Sequence, residues 1–166
     1  ISSLPLPQAQ KIFKTEIVHD ATFDPCISVG MIFSGQTNNE HNAYKNINQD
    51  ISWLSSSKFY NAQNNETWVL QFSPQTSLEM FDYSNKSLEA RCDDAVKDII
   101  EGEYTIIHCG IFKWKFALCK RSNLEKKFVS ISDDAFAIGD WNISPRIESA
   151  YISGKELGKF LTETQI

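Results

Sequence analysis

The chain has 166 residues, 42% of them apolar and 12% aromatic, and a formal net charge of −5. That length suits one domain, or one domain with a piece of another, and the apolar content is ample for a core, which excludes global disorder. The acidic balance excludes nucleic acid or an anionic membrane as the main partner, and no apolar run approaches the ~20 residues of a membrane span.

The first residues do not have the charged-then-apolar layout of a signal peptide, so the expected location is cytoplasmic. Cys26, Cys92, Cys109 and Cys119 form no CxxC pair and are expected to be buried thiols. Asn-x-Ser/Thr triplets at Asn65, Asn85 and Asn142 would be glycan acceptors only in a secretory setting. A secreted glycoprotein would reveal itself by mass heterogeneity there.

In chain order, Leu4-Pro5-Leu6-Pro7 reads as an extended exit, with a short helical turn over residues 8–13. Residues 16–19 and 27–33 are strand candidates split by Asp24-Pro25. The Asn-rich stretch 36–48 is a polar connection, 51–54 a short strand, and 55–65 a turn-rich link that includes Lys58. Residues 68–72 alternate Trp68, Leu70 and Phe72 with Val69 and Gln71, which predicts a half-buried strand ended by Pro74. A helix follows over 85–100, with Leu88, Cys92, Ala95, Val96, Ile99 and Ile100 on one face, stopped at Gly102. Asp93, Asp94, Lys97 and Asp98 lie elsewhere on that helix and read as a solvated face. Residues 104–119 form a second strand block. Trp114, Phe116 and Leu118 share one face of it, and Lys113, Lys115 and Ala117 share the other. A turn at 123–127 and a short strand at 128–131 lead into the last segment.

The last segment, DDAFAIGDWNISPRIESAYISGKELGKFL, begins with an apolar run (135–139) that ends in Gly-Asp, a buried strand stopping at a turn. Ser144 offers an N-cap hydroxyl and Pro145 sits where a first helical residue belongs. Ile147, Ala150, Tyr151, Gly154, Leu157, Gly158 and Leu161 then fall on one stripe. Glycine inside a helix costs roughly 1 kcal/mol against alanine, so Gly154 and Gly158 suggest something approaching closely, either a sheet backbone or a flat ligand.

GDWNISPRIESAYISGKELGKFL resembles the C-terminal flavin-binding segment of FAD-dependent amine oxidases, and within them the renalase-like oxidoreductases. LPLPQAQKIF, WVLQFSPQTS and FKWKFALCK point the same way and occur in the order the family has them. The strand–GxGxxG–helix unit that grips FAD pyrophosphate in those enzymes has no counterpart among the seven glycines here. The resemblance therefore implies the C-terminal half of a longer flavoenzyme, with a GxGxxG-containing N-terminal half as its partner.

The implied fold is α+β: a mixed, mainly antiparallel substrate-binding sheet with helices on one side, plus a C-terminal strand–helix of a Rossmann-like FAD domain. Residues 1–14 would be the exit from the FAD-binding domain, 15–131 the substrate-binding domain, and 132–166 the FAD-binding strand–helix. The resemblance makes Gly139, Asp140, Arg146, Ile147 and Ala150 cofactor contacts. Asp140 lies near the ribityl–phosphate part of FAD, and the helix start at Arg146-Ile147 points at the flavin's pyrimidine edge.

Each residue also has a plainer role open to it. Asp140 can cap its own turn, Arg146 can be an exposed surface charge, and Ala150 can pack a helix on a sheet. Trp68, Trp114 and Trp141 are candidate walls of a pocket for a planar substrate, or core residues. No metal-ligand set and no catalytic triad can be assembled from spacing, and no catalytic residue is assigned. The implied chemistry is hydride transfer from a reduced planar or amine substrate to FAD, with electrons passed to oxygen. The chain alone would be inert and would self-associate through an exposed apolar face. The rival reading is a non-enzymatic α+β module that holds a small ligand or a protein.

Overall fold

A computed structural model describes residues 1–14, 21–57, 65–120 and 127–164. The strand candidate at 16–19, Lys58 and most of the turn at 123–127 lie outside these residues. The chain divides into two compact units, Ile1–Asp24 with Phe116–Ile166, and Pro25–Lys115. The fold is α+β, with a mainly antiparallel five-stranded sheet and helices.

The sheet of the second unit is built on β1 (Phe23–Thr37), which continues through Asp24-Pro25 instead of splitting there. Pro25 is tolerated because the neighbouring strand β4 (Glu66–Phe72) begins to pair only at Ser28, so the missing N–H breaks no bond with it. β2 (Ala43–Lys45) and β3 (Ile51–Ser57) extend the sheet on the β4 side, and β5 (Gly102–Cys119) flanks β1 on the other. β2 lies inside the stretch expected to be only a polar connection. It is held by Asn38–Glu101 and Asn46–Ser52 backbone bonds at either end of that stretch.

Period-two alternation sorts the side chains of the sheet. Ile27, Val29, Met31 and Phe33 of β1 face the same side as Trp68, Leu70 and Phe72 of β4, and all seven are buried. Two helices close that side: α2 (Pro74–Glu79) and α3 (Asn85–Val96), which contributes Leu88, Cys92 and Val96. Ser73 and Ser84 cap them by accepting from Thr76 N–H and Ser87 N–H. Arg91 of α3 is anchored to Asp50 at 2.8 Å, and Thr76 donates to the same carboxylate. Helix α3 ends earlier than the apolar pattern suggests. Ile99 and Ile100 turn back onto the Val96 carbonyl, while Gly102 opens β5.

The first unit is smaller. Ser2 bridges β7 (Ala135–Ala137), which pairs with β6 (Val129–Ser132), and Leu6 and Ala9 of α1 (Leu6–Phe13) are buried. Leu6, Cys119, Ala137 and Trp141 form its core. A 3₁₀ turn at Asp140–Asn142 leads to α4 (Ile147–Thr164). Among the described residues, no helix is long and apolar enough to cross a membrane.

Candidate functional site

Helix α4 starts two residues later than Ser144-Pro145 predicts. Ser144 N–H is already committed to the Asp140 carbonyl, and the first helical bond runs from Ala150 N–H to the Arg146 carbonyl. Arg146 thus stands at the N-cap, a residue type that gives no capping signal in sequence. The Ser144 hydroxyl instead meets the Ser149 hydroxyl at 2.7 Å.

The packed stripe of α4 also differs from the predicted one. Ser149, Ser153 and Leu157 are buried, and Phe160 joins Phe128 and Phe136 in an aromatic cluster with centroids 5.2–6.1 Å apart. Of the predicted stripe, Leu157 is buried, whereas Ile147 is 88% and Tyr151 69% exposed. The packed face is rotated toward the serines, with Leu157 shared by both stripes, because buried serine is polar by composition yet satisfied here. Ser153 Oγ accepts from Gly139 N–H at 3.1 Å and donates to the Lys127 carbonyl at 2.6 Å.

Gly139 therefore has an internal explanation. Its φ is +157°, and a Cβ there would lie 2.4 Å from Trp141 Nε1 in the buried indole ring. Its N–H is spent on Ser153, so it has no donor left for a cofactor. Asp140 is half-buried, and no side chain among the described residues is hydrogen-bonded to its carboxylate. Arg146, Ile147 and Ala150 are exposed. Ala150 makes no close helix-on-sheet contact. Of the five residues that the flavin reading needs, Arg146, Ile147 and Ala150 present open surface at one helix start and Asp140 is half-buried on the turn before it. Gly139 fits only as the residue that shapes the turn. Asn142 is 1% exposed, so its glycosylation triplet is closed to modification in the folded chain.

The three tryptophans take different positions. Trp141 belongs to the core of the first unit and Trp68 to that of the second, where it stacks near Phe33 at 6.3 Å. Trp114 is 56% exposed on β5. Trp68 and Trp114 stand on opposite faces of the sheet, so they do not wall one pocket.

What surrounds Trp114 is an open sheet face that the sequence reading did not assemble. Phe112 stacks beside Trp114, with ring centroids 6.5 Å apart and planes 20° from parallel. Register carries the face across the sheet: Gly30 of β1 lies opposite Val69 of β4, and Ser55 of β3 lies on the far side of Val69. Val69 and Trp53 are exposed as well. Gly110 adjoins Gly30 on β5, so two neighbouring strands present bare backbone at the foot of the aromatic pair. The signal was available in the sequence, since Gly30, Gly110, Phe112 and Trp114 all sit on the non-core phase of their strands.

A concavity of about 410 Å³ lies between α3 and β5 and is lined by Glu89, Ala90, Asp93, Ile106, Ile107, His108 and Cys109. Burial raises the Cys109 thiol, and the Glu89 and Asp93 carboxylates raise it further. Burial pushes Cys92 up to about 12, and burial with the Asp140 charge pushes Cys119 up to about 11. Cys26 is raised by burial alone. All four thiols are shifted toward the neutral form, the opposite of what an activated thiolate nucleophile needs. Among the described residues, no three His, Cys, Asp or Glu side chains converge on a metal position.

Comparison with family models and with curated proteins matched no family and no protein to this chain.

Proposed function

We propose that these residues are the substrate-binding and partly FAD-contacting portion of a flavin-dependent oxidoreductase of the renalase/amine oxidase type. The observation that carries the reading is the open face of the five-stranded sheet. Its partner face is packed by α2 and α3, yet it exposes a stacked Phe112–Trp114 pair over bare backbone. Aromatic rings left in water on an otherwise well-packed sheet mark a surface meant to be covered by a ligand. The ordered resemblance of four segments to the family agrees with it.

On this reading, FAD supplies the redox chemistry by taking hydride from a reduced planar or amine substrate and returning electrons to oxygen. The chain's own residues do the rest. Phe112 and Trp114 orient a flat substrate by stacking and keep water from its ring. Asp140 accepts hydrogen bonds from cofactor hydroxyls. The start of α4, with Arg146 beside it, places partial and full positive charge where a reduced flavin ring carries negative charge. A GxGxxG-bearing half is the required partner for holding FAD.

The test is the flavin content of two proteins: this 166-residue chain and the product of its whole gene, each incubated with FAD and passed through gel filtration. Flavin absorbance that co-elutes with the whole-gene product and is absent from the chain alone is the expected result. A whole-gene product that emerges without flavin overturns the reading. A second reading, a non-enzymatic binding module, is favoured by the fact that the open face lies entirely within Pro25–Lys115. It predicts ligand binding without flavin in both proteins.

A further inference from the structure

The concavity between α3 and β5 is a groove with a strand edge for one wall and a pair of carboxylates on the other. β5 stands at the end of the sheet, paired with β1 and, among the described residues, with no strand on its outer side. Such an edge carries unpaired N–H and C=O groups that an extended chain can join. The groove opens at a slip in the alternation of the strand. Tyr104 and Ile106 before the slip and Cys109 and Ile111 after it pack on the core, whereas Ile107 and His108 are both exposed. A slip of one place bends a strand and re-aims the groups around it.

Opposite that edge, Glu89 and Asp93 sit one turn apart on α3 and both line the groove. Both are exposed, and both act across it. Burial raises the Cys109 thiol most and the two carboxylate charges raise it further; burial and then the Asp93 charge raise Tyr104. Neighbouring cations are committed elsewhere, Arg91 to Asp50 and Lys97 to Asp94, so neither groove carboxylate has an ion-pair partner among the described residues. Lys113 of β5 is also engaged, donating to the Phe81 and Tyr83 carbonyls.

We propose that this groove docks an extended basic segment of a partner protein, which adds as a strand to the β5 edge at residues 106–109 and sets a Lys or Arg head group between Glu89 and Asp93. The proposal goes beyond the flavin reading and does not depend on it. Backbone pairing selects an extended polypeptide over a small amine, and the two unpaired carboxylates select a positive side chain on it.

The test titrates the full chain into fluorescein-labelled Val-Thr-Arg-Thr-Val-amide and reads anisotropy. Saturable binding is expected, and the same peptide with Glu in place of Arg should not bind. Backbone N-methylation of the Arg peptide should abolish binding, a comparison that needs no variant of the protein. The double variant Glu89→Gln with Asp93→Asn should bind the Arg peptide about tenfold more weakly, as the loss of two exposed ion pairs implies. A parent chain that does not take up the Arg peptide overturns the proposal. Equal binding of the N-methylated peptide overturns it by showing that charge alone attracts the probe. Unchanged affinity in the double variant, or equal affinity for the Glu peptide, overturns the role of the carboxylates and with it the proposed partner.

Discussion

The two faces of the five-stranded sheet share strands, register and backbone, yet one is packed and the other is open. The helix side is filled by Ile27, Val29, Met31, Phe33, Trp68, Leu70 and Phe72, and α3 seals it. The open side alternates small and polar residues with exposed aromatics, so its apolar surface is in water. The first unit repeats the contrast on one helix. The Ser149–Ser153–Leu157 stripe of α4 is packed, whereas Ile147, Ala150 and Tyr151 are not. What the difference teaches is that packing explains one set of residues completely and leaves the other unexplained. A residue in the first set is informative about stability; on the proposed reading, one in the second set is informative about a ligand.

The sharpest way to break this division is to substitute within it. Leu70→Ala on the sealed face should cost about 2–5 kcal/mol in urea unfolding, because it removes a fully buried side chain and leaves a cavity. Next comes a pH effect. Cys92 rises from 9.0 to about 12 in the folded chain, so its neutral form is favoured by folding. Its contribution is intact below pH 9 and is lost as pH climbs from there toward 12. Over that window it should add a decline of about 1.4 kcal/mol per pH unit at most. Cys92→Ala should be less stable at pH 8 but flatter between pH 9 and 11, and equal slopes would refute the burial argument.

Gly139→Ala should follow, at about 1–3 kcal/mol, since it combines a positive φ with a clash against Trp141. On the unpacked surfaces the signs change. A Cβ at Gly158 would meet nothing within 4 Å among the described residues, so Gly158→Ala should stabilise the chain by about 0.5–1 kcal/mol in the same assay. Trp114→Ala should shift unfolding by less than about 0.5 kcal/mol, as expected for a surface residue whose role is not packing. A large loss there would move Trp114 into the packed set.

Much of the fold was legible because strands announce themselves by alternation. Trp68, Leu70 and Phe72 separate cleanly from Val69 and Gln71, and Leu88, Cys92 and Val96 mark the inner face of α3. Two features of α4 were not legible, for identifiable reasons. The packed face of α4 is carried by serines that bury well only because Ser153 finds both an N–H and a carbonyl, and hydrophobic pattern cannot register that. At the start of α4 the Ser144 hydroxyl that looked like its cap meets the Ser149 hydroxyl, while the Ser144 backbone closes a turn on the Asp140 carbonyl. Of the three candidate pocket tryptophans, only Trp114 is exposed; the other two are in cores. Phase relative to the core, applied to all strands at once, would have put it instead with Phe112, Gly30 and Gly110.

The central claim is that the open sheet face is a surface for a flat ring, and amide chemical shifts during titration with 1-methylnicotinamide test it directly. The account predicts that saturable shifts concentrate at Gly30, Val69, Gly110, Phe112 and Trp114, while Leu70, Leu88 and Cys92 on the sealed side stay still. Shifts gathered in the concavity of Glu89, Asp93 and His108, or no saturable shifts at all, would contradict it.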